Sequence, residues 1–191
     1  EIRQVVRSLC QGTADEQRRT LDRYFTRDAS FVHPFCAVPH FDGVRVPLLG
    51  GRLSSRDVVR GIFQWYRMLS PRIDIEIDSV LHDEARDKIY LDIRQTFSVW
   101  FIPMYHAHVR LVTILDLVRD ETPTRSSRGN DDNDYEKEKD TPSGPRQWKI
   151  AKQEDLYQVN EFLRFAGPTP LPFLWLLFQL GAAAVCVLMA L

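Results

Sequence analysis

The sequence predicts an α+β fold, in which N-terminal helices pack on an antiparallel sheet and a C-terminal transmembrane helix follows. Three observations predict this arrangement. Apolar residues near the start recur with the 3.6-residue period of helices, and the middle of the chain changes to the two-residue period of strands. A long apolar run then ends the sequence. With 191 residues, 44% of them hydrophobic, the chain is long enough for one core with appendages.

Three helices are predicted in the first part of the chain. Residues 5–11 form a short one, and Thr13 caps a second that continues to about Thr26, with acidic residues in its first turn. Ser54 or Ser55 caps the third. Each cap precedes a segment with helical periodicity, so we expect all three helices to bury one face.

Strands are predicted before and after the third helix. Residues 29–35 have the β-branched and aromatic bias of a strand, and a glycine-containing loop over 36–53 follows it. From Ile73 to Leu117 the apolar residues fall on odd positions, which predicts three long strands with one buried face. A last strand over 147–157 completes an antiparallel meander.

The segment 121–146 interrupts this meander. It is rich in charged residues, contains proline and glycine near both ends and lacks aliphatic side chains. Such a composition predicts a disordered hairpin insertion. A regulatory loop with modifiable Ser126 and Ser127 is the alternative to a purely solvated insertion.

The apolar run over 170–191 predicts a membrane-spanning helix, since about 20 apolar residues cover a hydrocarbon core of about 30 Å. Gln179 is its one strongly polar side chain. The alternatives are a segment that folds back on the domain or lies in the membrane interface. We expect a single-pass membrane protein with domain 1–158 in the cytosol, a juxtamembrane linker over 159–169, and the endoplasmic reticulum as the first guess for the organelle.

Composition excludes several classes of function. The formal net charge is −1, which gives no indication of a nucleic-acid partner. Cys10, Cys36 and Cys186 are widely spaced and fit neither a disulfide scaffold nor a zinc motif. No phosphate-binding glycine loop, nucleophile elbow or metalloprotease motif occurs. We therefore expect neither a cofactor nor a metal.

Two sequence segments carry a family resemblance: YFTRDASFVHPF at 24–35 and RQWKIAKQEDLY at 146–157. With the capped helix between them, they resemble the nuclear-transport-factor-two-like superfamily over roughly residues 5–157. The charged insertion and the apolar tail are most similar to the fungal SigF-like membrane-tailed proteins. This resemblance implies a strongly curved sheet, shaped as a cone or half-barrel, that encloses either an apolar pocket or a packed core. Superfamily members include isomerases, cyclases, dehydratases and binding proteins, so the fold alone does not determine function.

The resemblance also implies a candidate catalytic residue. In the steroid-isomerase-like members a carboxylate base stands just before the proline of this motif, and here that position is His33. A histidine facing an apolar pocket can abstract a proton, although a histidine at a strand end can equally cap backbone groups. The matching positions for the enolate-stabilising donors fall near Leu9 and Val112. Neither side chain can donate, which weakens the isomerase interpretation.

His106 and His108 could begin a zinc site, because alternate residues of a strand share a face. Their positions are even, however, whereas the predicted buried face is odd. We therefore expect them to face solvent or, together with Trp100, a second subunit in a homodimer.

A ligand pocket is predicted on the odd face, where Gln95 and Thr113 are polar among apolar residues. The alternative is that both are satisfied inside a filled core. The predicted pocket consists of His33, Trp65, Tyr66, Gln95, Phe97 and Thr113.

Three functions remain open from the sequence. The leading one is a membrane-anchored, non-catalytic domain that holds a lipid-like or other apolar small molecule, or presents its sheet to a partner protein. The second is an isomerase, cyclase or dehydratase with His33 as acid and base. The third is a structural module that dimerises through the exposed sheet face.

Overall fold

The protein is described by a computed structural model over residues 1–46, 51–98, 106–119, 148–166 and 170–190. The predicted insertion 121–146, with Ser126 and Ser127, lies outside the described residues, as does Trp100.

The three predicted N-terminal helices are present. They are α1 (Ile2–Gln11), α2 (Ala14–Tyr24) and α3 (Ser55–Leu69). Thr13 and Ser54 each form a capping box, in which the cap hydroxyl accepts from the N3 backbone and an acidic N3 side chain accepts in return. The serine that caps α3 is therefore Ser54.

The strands form a six-stranded sheet and a separate two-stranded one. Their order in the larger sheet is β2-β1-β8-β7-β6-β5, and β3 pairs with β4. In sequence order the strands are β1 (Phe25–His33), β2 (Cys36–Val38), β3 (Val44–Val46), β4 (Gly51–Leu53), β5 (Asp74–Asp83), β6 (Lys88–Ser98), β7 (His106–Arg119) and β8 (Trp148–Tyr157).

The sheet differs from the prediction in two respects. It is mixed rather than purely antiparallel, because β8 lies between β7 and β1 and pairs with β1 in parallel. It is also open, with β2 and β5 as its edges, so the strongly curved cone or half-barrel is not observed. The local two-residue period could not reveal this, since the partner of β1 stands at the other end of the domain's sequence.

The segment 36–53, predicted as an irregular loop, contains the three short strands β2, β3 and β4. Strand β2 turns back from His33 and pairs with β1 in the register Phe31↔Val38. Val38 is buried by this pairing, which gives the short strand an apolar contact with the core.

The predicted odd-numbered buried face is confirmed for β6 and β7. Here it is called the inner face, and α1, α2 and α3 cover it. Leu91 and Leu115 are almost fully buried, and their neighbours in sequence point to the opposite side.

The opposite side of β5, β6 and β7, called the outer face, carries charged side chains. Arg94 on β6 pairs with Asp78 on β5 at 2.6 Å, and Arg110 on β7 pairs with Asp92 on β6. These ion pairs join neighbouring strands where the side chains remain in contact with water.

Two helices follow β8. The predicted linker 159–169 contains helix α4 (Val159–Ala166), and helix α5 (Leu171–Ala190) covers most of the segment predicted to cross a membrane. Within the described residues, no helix meets the combined length and apolarity that a membrane span requires. The predicted transmembrane helix is therefore not confirmed.

Candidate functional site

A partly open cavity of about 60 Å³ lies between α1, α3 and the inner face of the sheet. One water molecule needs about 10–15 Å³ of such space, so the core is not completely filled. The walls are mainly aliphatic and aromatic, with contributions from Val6 and Leu9 on α1, Phe63 on α3 and Ile93 on β6. The sequence left a filled core open as an alternative, and the cavity favours the pocket.

Five of the six predicted pocket residues line this cavity: His33, Tyr66, Gln95, Phe97 and Thr113. Trp65 does not line it, because its side chain is 54% exposed on the other side of α3. The buried residues of α3 include Val59 and Phe63, which define the face that packs on the sheet. Adjacent residues of a helix point in different directions, so Trp65 faces solvent whereas Tyr66 faces the cavity.

His33 stands at the end of β1 and is 7% exposed. The Phe35 backbone N–H donates to its Nδ1 over 3.2 Å, so the neutral ring carries its hydrogen on Nε2, which lies 3.4 Å from the Tyr157 hydroxyl. Burial lowers the pKa of His33 from 6.5 to about 4. The ring is therefore uncharged at neutral pH.

Two tyrosine hydroxyls flank the His33 ring. The Tyr66 hydroxyl lies 3.2 Å from Nδ1 and 3.8 Å from the Cys36 sulfur. The Tyr157 hydroxyl accepts a hydrogen bond from the Gln95 amide over 3.1 Å. Burial raises the pKa of both tyrosines, so both are protonated at neutral pH and both can donate.

Asp155 on β8 is a cavity residue that the sequence analysis did not identify. Its carboxylate accepts from the Thr113 hydroxyl at 2.7 Å and from the Gln153 amide at 3.2 Å. Burial raises the pKa of Asp155 from 3.8 to about 6, although both hydrogen bonds act in the opposite direction. Thr113 is thus satisfied by a carboxylate at the cavity wall.

A pattern in the sequence could have identified this wall. Gln153, Asp155 and Tyr157 alternate along β8, and all three line the cavity. Neither position examined for a donor supplies one, because Leu9 lines the cavity as an apolar residue and Val112 is 39% exposed. The donors of the cavity are instead the hydroxyls of Tyr66 on α3 and Tyr157 on β8.

His106 and His108 point away from the cavity, as predicted from their even positions. On the outer face, the Nδ1 atom of His106 is 2.7 Å from the Ser98 hydroxyl, and that of His108 is 2.9 Å from the Thr96 hydroxyl. In the part of the chain that the structure describes, they belong to no group of three metal-ligating side chains.

Comparison with protein families gives one match. Residues 1–125 match the model described as the SigF NTF2-like domain. No curated protein matches the chain.

Several solved structures resemble this fold at low sequence identity. A SnoaL-like polyketide cyclase from a Jannaschia species is 12% identical, with a TM-score of 0.47. The alignment covers 83% of this chain and 85% of the cyclase. An NTF2-like protein from Anabaena variabilis is 16% identical with a TM-score of 0.46, covering 82% and 86% of the two chains. An epoxide hydrolase of the LEH-like type from Mycobacterium tuberculosis is 9% identical with a TM-score of 0.42, covering 83% of each chain.

Proposed function

Because the chain belongs to the SigF NTF2-like domain family, we propose that its domain is a binding domain for a small molecule with an apolar body and a polar head group. The observation that carries this proposal is the unfilled cavity on the inner face, in which Gln95, Thr113, Asp155 and Tyr157 converge within apolar walls. A small number of polar groups within an otherwise apolar cavity is typical of small-molecule sites, where these groups orient the ligand.

The experiment is a binding measurement on the full chain with cyclohexanol, an uncharged probe with an apolar ring and one hydroxyl. Saturation-transfer NMR should report saturable contact between the ring and the protein. Val6→Phe places a larger side chain in the cavity wall and should abolish the signal. Val58→Phe is the matched control, because Val58 is a partly buried helical valine that packs on the core outside the cavity. Equal binding by the two variants would refute the proposal.

The second candidate is an acid–base enzyme, an isomerase, cyclase or dehydratase acting in the same cavity. It is favoured by one observation: the pKa of His33 is lowered to about 4 while that of Asp155 is raised to about 6. At neutral pH both groups are deprotonated and can act only as bases, so the protonated hydroxyls of Tyr66 and Tyr157 are the available acids. His33 is a weak base at this pKa, so Asp155 is the stronger candidate for the proton acceptor.

Deuterium exchange tests the enzyme. A carbonyl-containing ligand of the cavity, incubated with the protein in D₂O, should acquire deuterium at carbon, and Asp155→Asn should stop the exchange. Undiminished exchange or turnover in His33→Ala would exclude His33 as the essential base.

Homodimerisation through the outer face is a third proposal. It is supported by the exposed positions of His106 and His108 beside the interstrand ion pairs. Sedimentation of the full chain at micromolar concentration should give a dimer, and a monomer would count against this function.

Attachment to a membrane through 170–191 is also a proposal. Its support is the exposure of large apolar side chains along α5, such as Phe173, Leu177 and Phe178, which water solvates poorly. The domain would then lie on the cytosolic side, with the endoplasmic reticulum as the membrane to examine first. The full chain should float with liposomes, and a chain ending at Ala166 should stay with the soluble fraction. Flotation of both, or of neither, would contradict attachment through this segment.

A further inference from the structure

The Asp155 carboxylate differs in its partners from three carboxylates on the outer face of the sheet. Asp78, Asp92 and Asp116 pair with Arg94, Arg110 and Lys88. Asp155 accepts hydrogen bonds from Thr113 and Gln153, and within the described residues no lysine, arginine or histidine forms an ion pair with it. Its negative charge is therefore hydrogen-bonded but not neutralised.

The remaining titratable groups of the cavity leave this charge uncompensated. Burial, helped by the charge of Asp155, raises the pKa of the Cys10 thiol to about 12, so the thiol is neutral. The His33 ring is neutral, and the hydroxyls of Tyr66 and Tyr157 are protonated. With the pKa of Asp155 near 6, the cavity carries one net negative charge at pH 7.5.

A half-buried carboxylate without a cationic partner is only partly hydrated, and a positive charge beside it recovers free energy. The cavity walls suit such a charge, because Phe31, Phe63 and Phe97 contribute aromatic rings. The faces of aromatic rings carry negative potential and attract ammonium groups. The carboxylate therefore discriminates in favour of a cation, and the aromatic walls accept the apolar body attached to it.

We propose that the cavity selects a small protonated amine with an apolar body, whose ammonium group donates to the Asp155 carboxylate while its hydrocarbon part contacts the aromatic walls. This proposal rests on the proposed binding function and specifies the ligand class. The volume of the cavity limits the body to a short branched chain or a single ring.

The test compares three probes with the same ring on the full chain at pH 7.5: cyclohexylamine, cyclohexanol and cyclohexanecarboxylate. We expect the amine to bind at least tenfold more tightly than the alcohol, and the carboxylate to bind most weakly. Asp155→Asn should remove the preference for the amine over the alcohol. Asp92→Asn, on the outer face, is the matched control and should change neither affinity.

A second measurement does not depend on the folding of the variant. As the pH falls through about 6, Asp155 becomes protonated while cyclohexylamine stays charged, so the wild-type affinity for the amine should fall toward that for the alcohol. If the alcohol binds as tightly as the amine at pH 7.5, the amine proposal is wrong and the binding function stands. If none of the three probes gives saturable binding, both are wrong.

Discussion

On the outer face of β6 and β7, Arg110 pairs with Asp92 in contact with water, whereas on the inner face Asp155 meets neutral hydrogen-bond donors. Asp92 and Arg110 lie on β6 and β7, and Asp155 lies on the opposite face of the same sheet, on the neighbouring strand β8. Ion pairs on the outer face contribute little, because water already solvates both partners. On the inner face the loss of water shifts the pKa of each buried group. The same side-chain type is thus neutralised by an arginine on one face and held by uncharged donors on the other.

The largest difference in stability between the two faces should appear when a side chain of the inner face is truncated. Leu91 is fully buried on β6, so Leu91→Ala should lower the free energy of unfolding by about 2–5 kcal/mol. Urea denaturation measures this loss. A change no larger than that of Asp92→Ala, the next residue on the outer face, would show that the inner face is not the core.

Replacing His33 should alter the dependence of stability on pH. A histidine whose pKa falls from 6.5 to about 4 on folding binds fewer protons in the folded state, so its stability contribution is lost as the pH falls through this window. The loss corresponds to about 3 kcal/mol. His33→Gln removes this contribution to stability and leaves the opposite effect of Asp155. The urea midpoint of the variant should therefore decrease as the pH rises from about 4 to 6. A variant with the wild-type pH profile would contradict the lowered pKa.

Asp155→Asn should have the opposite effect on the pH profile. A carboxylate whose pKa rises from 3.8 to about 6 on folding destabilises the folded state as the pH rises through that window, by up to about 3 kcal/mol. Without Asp155, stability should increase as the pH rises from about 4 to 6.5, because His33 remains. In the wild-type protein the two slopes oppose each other, so only the single variants reveal them.

Thr113→Val should have a smaller effect. It removes the hydrogen bond of 2.7 Å to Asp155, and hydrogen bonds to charged groups contribute about 1.5–3 kcal/mol. The destabilisation should be present at pH 8 and decrease below pH 6, where Asp155 is protonated. Thermal unfolding at the two pH values measures it, and an equal loss at both would mean that the hydroxyl serves another group.

The smallest effect is expected on the outer face. Arg110→Ala and Asp92→Ala remove the two partners of an exposed ion pair, and a double-mutant cycle isolates their coupling. The coupling should be the weakest of the effects above and should fade with added salt. A coupling that persists in high salt would mean that the pair is shielded from water, for example inside a dimer.

The features that could be predicted from the sequence are those that depend on the spacing of nearby residues. The capping boxes at Thr13 and Ser54, the odd-numbered inner face with Thr113, and the outward direction of His108 follow from spacing alone. Asp155 was not predicted as a cavity residue, although the alternation of Gln153, Asp155 and Tyr157 along β8 would have indicated it. Its perturbed pKa arises from desolvation by helices and strands distant in sequence.

Two other differences have the same origin. Trp65 and Tyr66 were both placed in the pocket, and only the packing of α3 determines which of the two faces the sheet. The parallel pairing of β1 with β8 was missed because nothing near Phe31 in the sequence indicates Gln153 as its partner.

This parallel pairing has a kinetic consequence. Strand β8 occupies an interior position in the sheet, between β1 and β7, and it is the last strand of the domain to be synthesised. The first and last strands must meet before the sheet is complete, and contacts between such distant segments slow folding because a long loop must close first. A nascent chain that ends before β8 exposes an apolar inner face and two unpaired strand edges, a species prone to aggregation. The sheet of this domain can therefore be completed only after β8 has been synthesised.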